Sequence, residues 1–82
     1  MKISVEISKY PLAEDYKPAI KDFIGRLQAH KDVNVVSNTI STQVFGEYVV
    51  VMDLLKTEMQ RSYAEHGQAI FVCKFMQGDR SP

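Results

Sequence analysis

The segment from Ser37 to Gln43 holds the side chains in this chain that are best suited to chemistry. It reads Ser-Asn-Thr-Ile-Ser-Thr-Gln, so hydroxyl and amide groups follow one another with a single apolar residue among them. Such groups offer hydrogen-bond donors and acceptors without charge, which suits the recognition of a small polar heterocycle. We therefore take Asn38, Ser41, Thr42 and Gln43 as candidate ligand-binding residues. The alternative is a solvated hairpin, because Thr and Val also favour strands and Asn favours turns.

Catalytic chemistry has less support among the residues. His30 and His66 fall in the last turns of two predicted helices, and no Ser or Cys is obviously paired with either of them. The single Cys73 excludes a disulfide within the chain and a Cys-x-x-Cys metal or redox motif. No set of nucleophile, base and orienting group can be assembled. We therefore expect a binding protein rather than an enzyme, with no catalytic residue, no metal site and no cofactor.

Charge and hydropathy narrow the range of partners. The 82 residues include 10 Lys and Arg and 10 Asp and Glu, so the formal net charge is zero. A nucleic-acid-binding surface would require a clustered basic excess. No apolar run reaches membrane-spanning length, and the first residues alternate instead of forming the apolar core of a secretory signal. We expect a cytoplasmic protein with no nucleic-acid partner and no membrane partner.

The hydrophobic periodicity alternates between that of strands and that of helices. It predicts helices over residues 15–30 and 47–66, with Asp15 as the first N-cap, and strands over residues 2–8, 33–37, 40–45 and 69–76. This order, β-α-β-β-α-β, is that of the ferredoxin-like α+β sandwich. Right-handed crossovers then give an antiparallel sheet in the order 4-1-3-2 with both helices on one face. Residues 1–77 form the single domain, and residues 78–82 form a C-terminal tail.

This topology predicts which residues lie next to each other in the sheet and which faces of the strands are covered. Strands 1 and 3 become central neighbours, so Glu6 can lie beside the hydroxyl-rich residues of strand 3 and join the candidate ligand-binding set. Glu6 could equally be a solvated strand residue. Strand 4 is apolar on both faces, and one layer of helices can cover only one of them. We therefore expect the second face to be covered by another subunit or to form an exposed apolar patch.

Two segments resemble the YkoF-like family of thiamine-binding proteins. One is the first strand with the residues after it, and the other is the third strand with the start of the second helix: Ile3–Ser8 with Tyr10–Leu12, and Ser41–Tyr48 with Val51 and Met52. The resemblance extends over nearly the whole chain in the order of its elements. It implies a ferredoxin-like fold, binding of thiamine or its hydroxymethylpyrimidine moiety, and pairing of domains in tandem or by oligomerisation.

For this chain the resemblance implies a small soluble binding protein that acts in carriage, sensing or salvage of the ligand. It favours a ligand role for Ser41 and Thr42 over a purely structural one. The exocyclic amine of an aminopyrimidine would donate a hydrogen bond to Glu6, while Ser41, Thr42, Asn38 or Gln43 would supply the complementary hydroxyl and amide contacts. Because the chain has one domain, the resemblance also implies a homo-oligomer, either a dimer or a tetramer.

Two other functions stay open at this point. One is an oligomeric structural or regulatory module that binds no small ligand, and the other is a small cofactor-free enzyme with His66 or Glu6 as a base. A pocket bounded by Ser41, Thr42 and Glu6 would favour binding. A flat, filled interface would favour the assembly module, and a buried histidine that faces a cavity would favour the enzyme.

Overall fold

A four-stranded antiparallel sheet forms one layer of the molecule. A computed structural model of the chain describes residues 1–82. The strands are β1 (Lys2–Pro11), β2 (Asn34–Ser37), β3 (Thr42–Glu47) and β4 (Ala69–Gln77), in the spatial order β2-β3-β1-β4. Each neighbouring pair of strands is antiparallel. This is the predicted order 4-1-3-2 in the opposite direction, so the predicted ferredoxin-like fold is confirmed.

Two helices, α1 (Lys17–Gln28) and α2 (Tyr48–His66), form the second layer. Alternate residues of β1 and β3 meet one stripe of each helix, and burial of this apolar surface is the main favourable contribution to folding. Neither helix is both long and apolar enough to cross a membrane. The nine buried residues of this core are Ile3, Val5, Ile7, Phe23, Leu27, Val44, Val51, Leu54 and Leu55.

Two strand boundaries differ from the prediction, and both affect the candidate site. β1 continues past residue 8 to Pro11, which brings Lys9 and Tyr10 into the sheet beside β4. β3 begins at Thr42 rather than at residue 40. The reason is that the side chain of Asn38 accepts hydrogen bonds from the backbone of residues 40 and 41 and holds them in a turn.

The starts of both helices also differ from the prediction. Asp15 does not cap α1; Tyr16 occupies the N-cap position and makes no capping hydrogen bond through its side chain. Pro18 lies in the first turn, where its missing N–H is of no consequence. Gly46 lies within β3, and Glu47 precedes α2 in an extended conformation. Both helices therefore begin without a side-chain cap and are held by packing on the sheet.

Ion pairs join the middle of α1 to the C-terminal end of α2. Arg26 donates hydrogen bonds to Asp22 and Glu65, each at 3.2 Å, and His66 Nε2 lies 3.0 Å from Asp22 Oδ2. The hydrogen bonds from His66 and Arg26 hold the pKa of the Asp22 carboxyl below its usual value. These contacts tie the end of α2 to the middle of α1.

Replacing Asp22 by Asn should weaken the contact between the helices at neutral pH. A lowered pKa means that the ionised carboxylate stabilises the folded state above the unfolded pKa of about 3.9, and that this stability is lost as the pH falls through the folded pKa. The side chain is 34% exposed. Solvent screening therefore limits the expected loss to about 1 kcal/mol or less.

Urea unfolding of the wild type and Asp22→Asn, at neutral and at strongly acidic pH, measures this contribution. The difference in the free energy of unfolding should be present at neutral pH and disappear in acid. Asp53→Asn on the exposed face of α2 is the control and should leave the stability unchanged. Equal losses for the two substitutions at neutral pH would contradict the assignment.

The face of the sheet opposite the helices is only partly covered. After Gln77 the tail turns back over β1, where Ser4 Oγ donates a hydrogen bond to the Gly78 carbonyl at 2.8 Å. β4 leaves three apolar side chains of this face about half exposed, and we name them the open apolar strip: Ile70, Val72 and Met76.

Candidate functional site

A cavity of about 440 Å³ opens between α1, the end of β1 and the loop that joins β2 to β3. This volume lies within the range of pockets that hold small molecules. We name the cavity the α1 pocket. It is lined by Ile7, Ser8, Lys9, Tyr10, Pro11, Tyr16, Ile20, Phe23, Ile24, Asn38, Thr39, Ile40, Ser41 and Thr42.

Asn38 shapes the polar wall of the α1 pocket through the backbone. Its Oδ1 accepts hydrogen bonds from the N–H groups of Ile40 and Ser41 at 2.8 and 3.0 Å, which is an Asx turn. The carboxamide oxygen of Asn38 therefore has the structural role in a turn that was the alternative to ligand binding. The NH2 group of the same side chain can still donate a hydrogen bond to a ligand. The turn also leaves Ile40 86% exposed beside the cavity.

The hydroxyl groups of Ser41 and Thr42 line the pocket and also have partners within the chain. Ser41 Oγ donates to Glu6 Oε2 at 3.1 Å, and Thr42 Oγ1 lies 3.0 Å from Ser37 Oγ. A hydroxyl has one donor and two acceptor lone pairs, so each group can still accept a hydrogen bond. Because Ser41 donates to a carboxylate, its remaining capacity is that of an acceptor. This wall therefore suits a ligand that brings N–H or O–H donors.

The apolar wall of the pocket comes from one apolar stripe, formed by Tyr16, Ile20, Phe23 and Ile24 at helical spacing. Phe23 is buried against the core, whereas Ile20 and Ile24 are only partly buried, and Tyr16 is 48% exposed. The sheet therefore covers Phe23 but leaves part of the other three side chains exposed to the cavity. These exposed parts provide an apolar surface on which the ring of a ligand can lie.

Lys9 adds a positive charge to an otherwise uncharged lining. Its side chain is buried, and Nζ donates hydrogen bonds to the Ala19 carbonyl at 3.1 Å and to Ser62 Oγ. Nζ also lies 5.7 and 5.9 Å from the ring centres of Phe23 and Phe71, at cation–π distance. Burial lowers the pKa of the Lys9 ammonium. A buried ionisable group beside a cavity is a common feature of functional sites.

Glu6 and Gln43 do not line the α1 pocket. They face the other side of the sheet, where they pair across β1 and β3 and line a shallower hollow of about 300 Å³. Phe45 of β3 and Arg80 of the tail line the same open-face hollow. The structure therefore divides the five candidate residues, because consecutive residues of a strand point to opposite faces. Glu6 keeps a link to the α1 pocket only through its hydrogen bond with Ser41.

Sequence reasoning missed several residues of the pocket, and one of them had a signal that could have found it. The alternation of Ile3, Val5 and Ile7 continues one step further to Lys9, which places a lysine on the core face of β1. A charged residue in a buried register is unusual enough to suggest a functional explanation. Ile40 had no such signal, because its exposure follows from the turn that replaces the predicted start of the third strand.

The two histidines of the chain lie away from both hollows. His30 and His66 line neither the α1 pocket nor the open-face hollow. The side chains of Asp22, Glu65 and His66 come close enough together to hold a metal ion. Arg26 already forms hydrogen bonds with both carboxylates of that group, so we interpret the group as an ion-pair network.

Comparison with known proteins adds structural relatives. No protein-family model and no curated protein matches the chain. Protein SP2199 from Streptococcus pneumoniae has a similar structure, with 24% identity and a TM-score of 0.87 over 98% of this chain and 90% of that chain. A candidate thiamine biosynthesis/salvage protein from Thermotoga maritima is 19% identical, with a TM-score of 0.84 over 95% of this chain and 85% of that chain. A domain of unknown function, DUF77, from Bacillus cereus is 19% identical, with a TM-score of 0.81 over 99% of this chain and 80% of that chain. At these identities the likeness shows that the chain shares their fold.

Proposed function

We propose that the α1 pocket binds thiamine or its hydroxymethylpyrimidine moiety, and that the protein carries, senses or salvages this ligand rather than transforming it. The observation that carries the proposal is the pocket itself. It has a volume of about 440 Å³, an apolar wall on α1 and a wall of hydroxyl and amide groups at residues 38–42. Apolar cavities with a few convergent polar groups are typical small-molecule sites.

The polar wall suits an aminopyrimidine, which carries an exocyclic amine donor beside ring-nitrogen acceptors. Ser41 Oγ donates to Glu6, so its lone pairs are left to accept from the amine. The NH2 group of Asn38, whose oxygen is used by the turn, can donate to a ring nitrogen. The ring itself can lie against Tyr16 and the partly buried side chains of Ile20 and Ile24.

The comparisons support this ligand class. Ser41 and Thr42 belong to a segment that resembles the YkoF-like thiamine-binding family, and both residues line the α1 pocket. One solved structure with the same fold is named as a candidate thiamine biosynthesis/salvage protein. We place the chain in the YkoF-like family as part of the proposal.

The arrangement of the titratable groups supports binding over catalysis. Neither histidine lines the pocket, and Ser62, the hydroxyl partner of Lys9, is buried without lining it. Ser41 Oγ donates to Glu6, but that carboxylate lines the hollow on the other face of the sheet, and we propose no nucleophilic role for the pair.

We further propose that the protein is a homo-oligomer, a dimer or a tetramer, that covers the open apolar strip. Ile70, Val72 and Met76 lie on one face of β4 and are about half exposed. Edge strand β4 also presents unpaired backbone groups along nine residues. A small domain gains stability when such a surface is buried between copies.

Calorimetric titration with thiamine, hydroxymethylpyrimidine and unrelated vitamins tests the ligand proposal. One of the two thiamine-related compounds should bind more tightly than every unrelated vitamin. If neither does so, the binding proposal fails, and the assembly module without a small ligand becomes the better account.

Two neighbouring residues of β3 distinguish the α1 pocket from the open-face hollow. Thr42→Val removes a hydroxyl from the α1 pocket, and loss of one neutral hydrogen bond should weaken binding by up to about tenfold. Gln43→Ala alters the opposite face and is the matched control, with an unchanged dissociation constant. Weaker binding by Gln43→Ala alone would place the ligand in the open-face hollow instead.

A further inference from the structure

The C-terminal tail, residues 78–82, is fixed by hydrogen bonds to the face of the sheet opposite the helices. The Gly78 N–H donates to the Lys2 carbonyl at 2.8 Å, and Gly78 has a φ of +101°, which turns the chain out of β4. Ser4 Oγ donates to the Gly78 carbonyl at 2.8 Å and accepts from the Arg80 N–H at 2.9 Å. Ser4 is 8% exposed, so both of these hydrogen bonds are shielded from water. The tail is therefore docked on β1.

The docked tail crosses a row of three side chains on this face. Ser4 lies opposite Phe45 of β3 on one side and opposite Met76 of β4 on the other. Val44 belongs to the core, so Phe45 points away from the helices, yet it is only 5% exposed. Met76 is 53% exposed. Because Phe45 and Arg80 line the same open-face hollow, we attribute the burial of Phe45 to the tail.

The tail limits how far the apolar surface of this face extends. Met76 belongs to the open apolar strip, and Phe45 lies at the same level of the sheet with only the small side chain of Ser4 between them. Release of the tail would expose a phenyl ring, which carries a large apolar area, and would join it to the strip. In a two-fold interface the same patch is used by both subunits, so each added residue counts twice.

We infer that the tail is an autoinhibitory contact that competes with a second copy of the chain for this face of the sheet. The inference rests on the proposed assembly and adds its regulation. A docked tail restricts the second copy to the open apolar strip, whereas a released tail adds Phe45 of both copies to the interface. Because such coupling is reciprocal, association of two copies must also loosen the tail.

Sedimentation of a chain truncated after Gln77 measures this competition. The removed residues include one acid, Asp79, and one base, Arg80, so the formal charge of the side chains is unchanged. The truncated chain should associate at least about tenfold more tightly than the full chain, because burial of two phenyl rings favours association. Phe45→Thr should remove this gain in the truncated chain and should leave association of the full chain unchanged.

Ser4→Val tests the same contact with the tail present. Valine suits a strand but can neither donate to the Gly78 carbonyl nor accept from the Arg80 N–H. This variant should also associate more tightly than the wild type. Thr57→Val, which removes a hydroxyl from the exposed surface of α2, is the control and should sediment like the wild type. In the wild type, the amide hydrogens of Gly78 and Arg80 should exchange faster as the protein concentration rises.

The outcomes separate the autoinhibition from the proposed assembly. An oligomeric full chain whose truncated form associates equally or more weakly would overturn the autoinhibition alone. Slower exchange of the Arg80 amide hydrogen in the oligomer would also overturn it, since the tail would then be part of the interface. A monomeric full chain with an associating truncated form would support the autoinhibition and refute the proposed assembly of the full chain. Monomers of both forms at every concentration would refute both.

Discussion

Replacement of Ile20 by Trp should weaken ligand binding strongly and leave the protein folded. Ile20 lines the α1 pocket and is only partly buried, so a larger side chain can enter the cavity without displacing the core. The indole ring would then occupy the space that the ligand needs. We expect at least about a tenfold loss of affinity, which corresponds to about 1.4 kcal/mol, in a calorimetric titration with hydroxymethylpyrimidine.

Lys21→Trp provides the matched control for this experiment. Lys21 is the next residue of α1, it is exposed, and it does not line the pocket. The same new side chain on the same helix should therefore leave the dissociation constant unchanged. Both variants should give thermal melts close to that of the wild type. Full binding by a folded Ile20→Trp protein would show that the ligand does not occupy the α1 pocket.

Substitution of Val72 by Glu should convert the oligomer into monomers. Val72 lies in the middle of the open apolar strip and is 50% exposed in the single chain. An interface of ordinary size buries about 1,600 Å², and apolar area contributes about 25 cal/mol per Å² to burial. A carboxylate placed in such an interface would lose its hydration, and the lysine on the same face, Lys74, already lies 3.7 Å from Glu6, so the substitution opposes association strongly. Sedimentation at micromolar concentration measures the change.

Thr57→Glu is the control for the added charge. Thr57 is exposed on α2, has nearly the shape of Val, and lies on the layer that faces away from the sheet. This variant should sediment like the wild type, as a dimer or a tetramer. A wild-type protein that remains monomeric at every concentration would refute the proposed assembly. Equal dissociation by both variants would attribute the effect to net charge rather than to the strip.

The sheet and its order could be predicted because the residues of β1 and α1 follow clean periodicities. Ile3, Val5 and Ile7 alternate along β1, and the apolar stripe of α1 repeats at helical spacing. Preferences of single residue types, such as those for N-cap positions, were less reliable guides to where the helices and strands begin and end. Asp15 has the residue type of an N-cap, yet Tyr16 holds that position, because packing of the helix on the sheet decides where it begins.

The candidate site could be predicted only in part, since the sequence does not show where an element is left uncovered. Asn38, Ser41 and Thr42 line the α1 pocket, whereas Glu6 and Gln43 lie on the opposite face of the sheet. Adjacency of two strands does not place all of their polar residues together, because the side chains alternate. The cavity itself depends on how far α1 stands from the Asx turn, and that distance is a property of the tertiary structure.

The backbone amide spectrum of isotopically labelled protein, recorded during titration with hydroxymethylpyrimidine, tests the central claim most directly. It reports on both hollows of the molecule in one experiment and requires no substitution. The account predicts saturable shifts concentrated at residues 8–10, 16–24 and 38–42, which surround the α1 pocket. Shifts concentrated at residues 4–6, 43–45 and 74–80, around the open-face hollow, would contradict it.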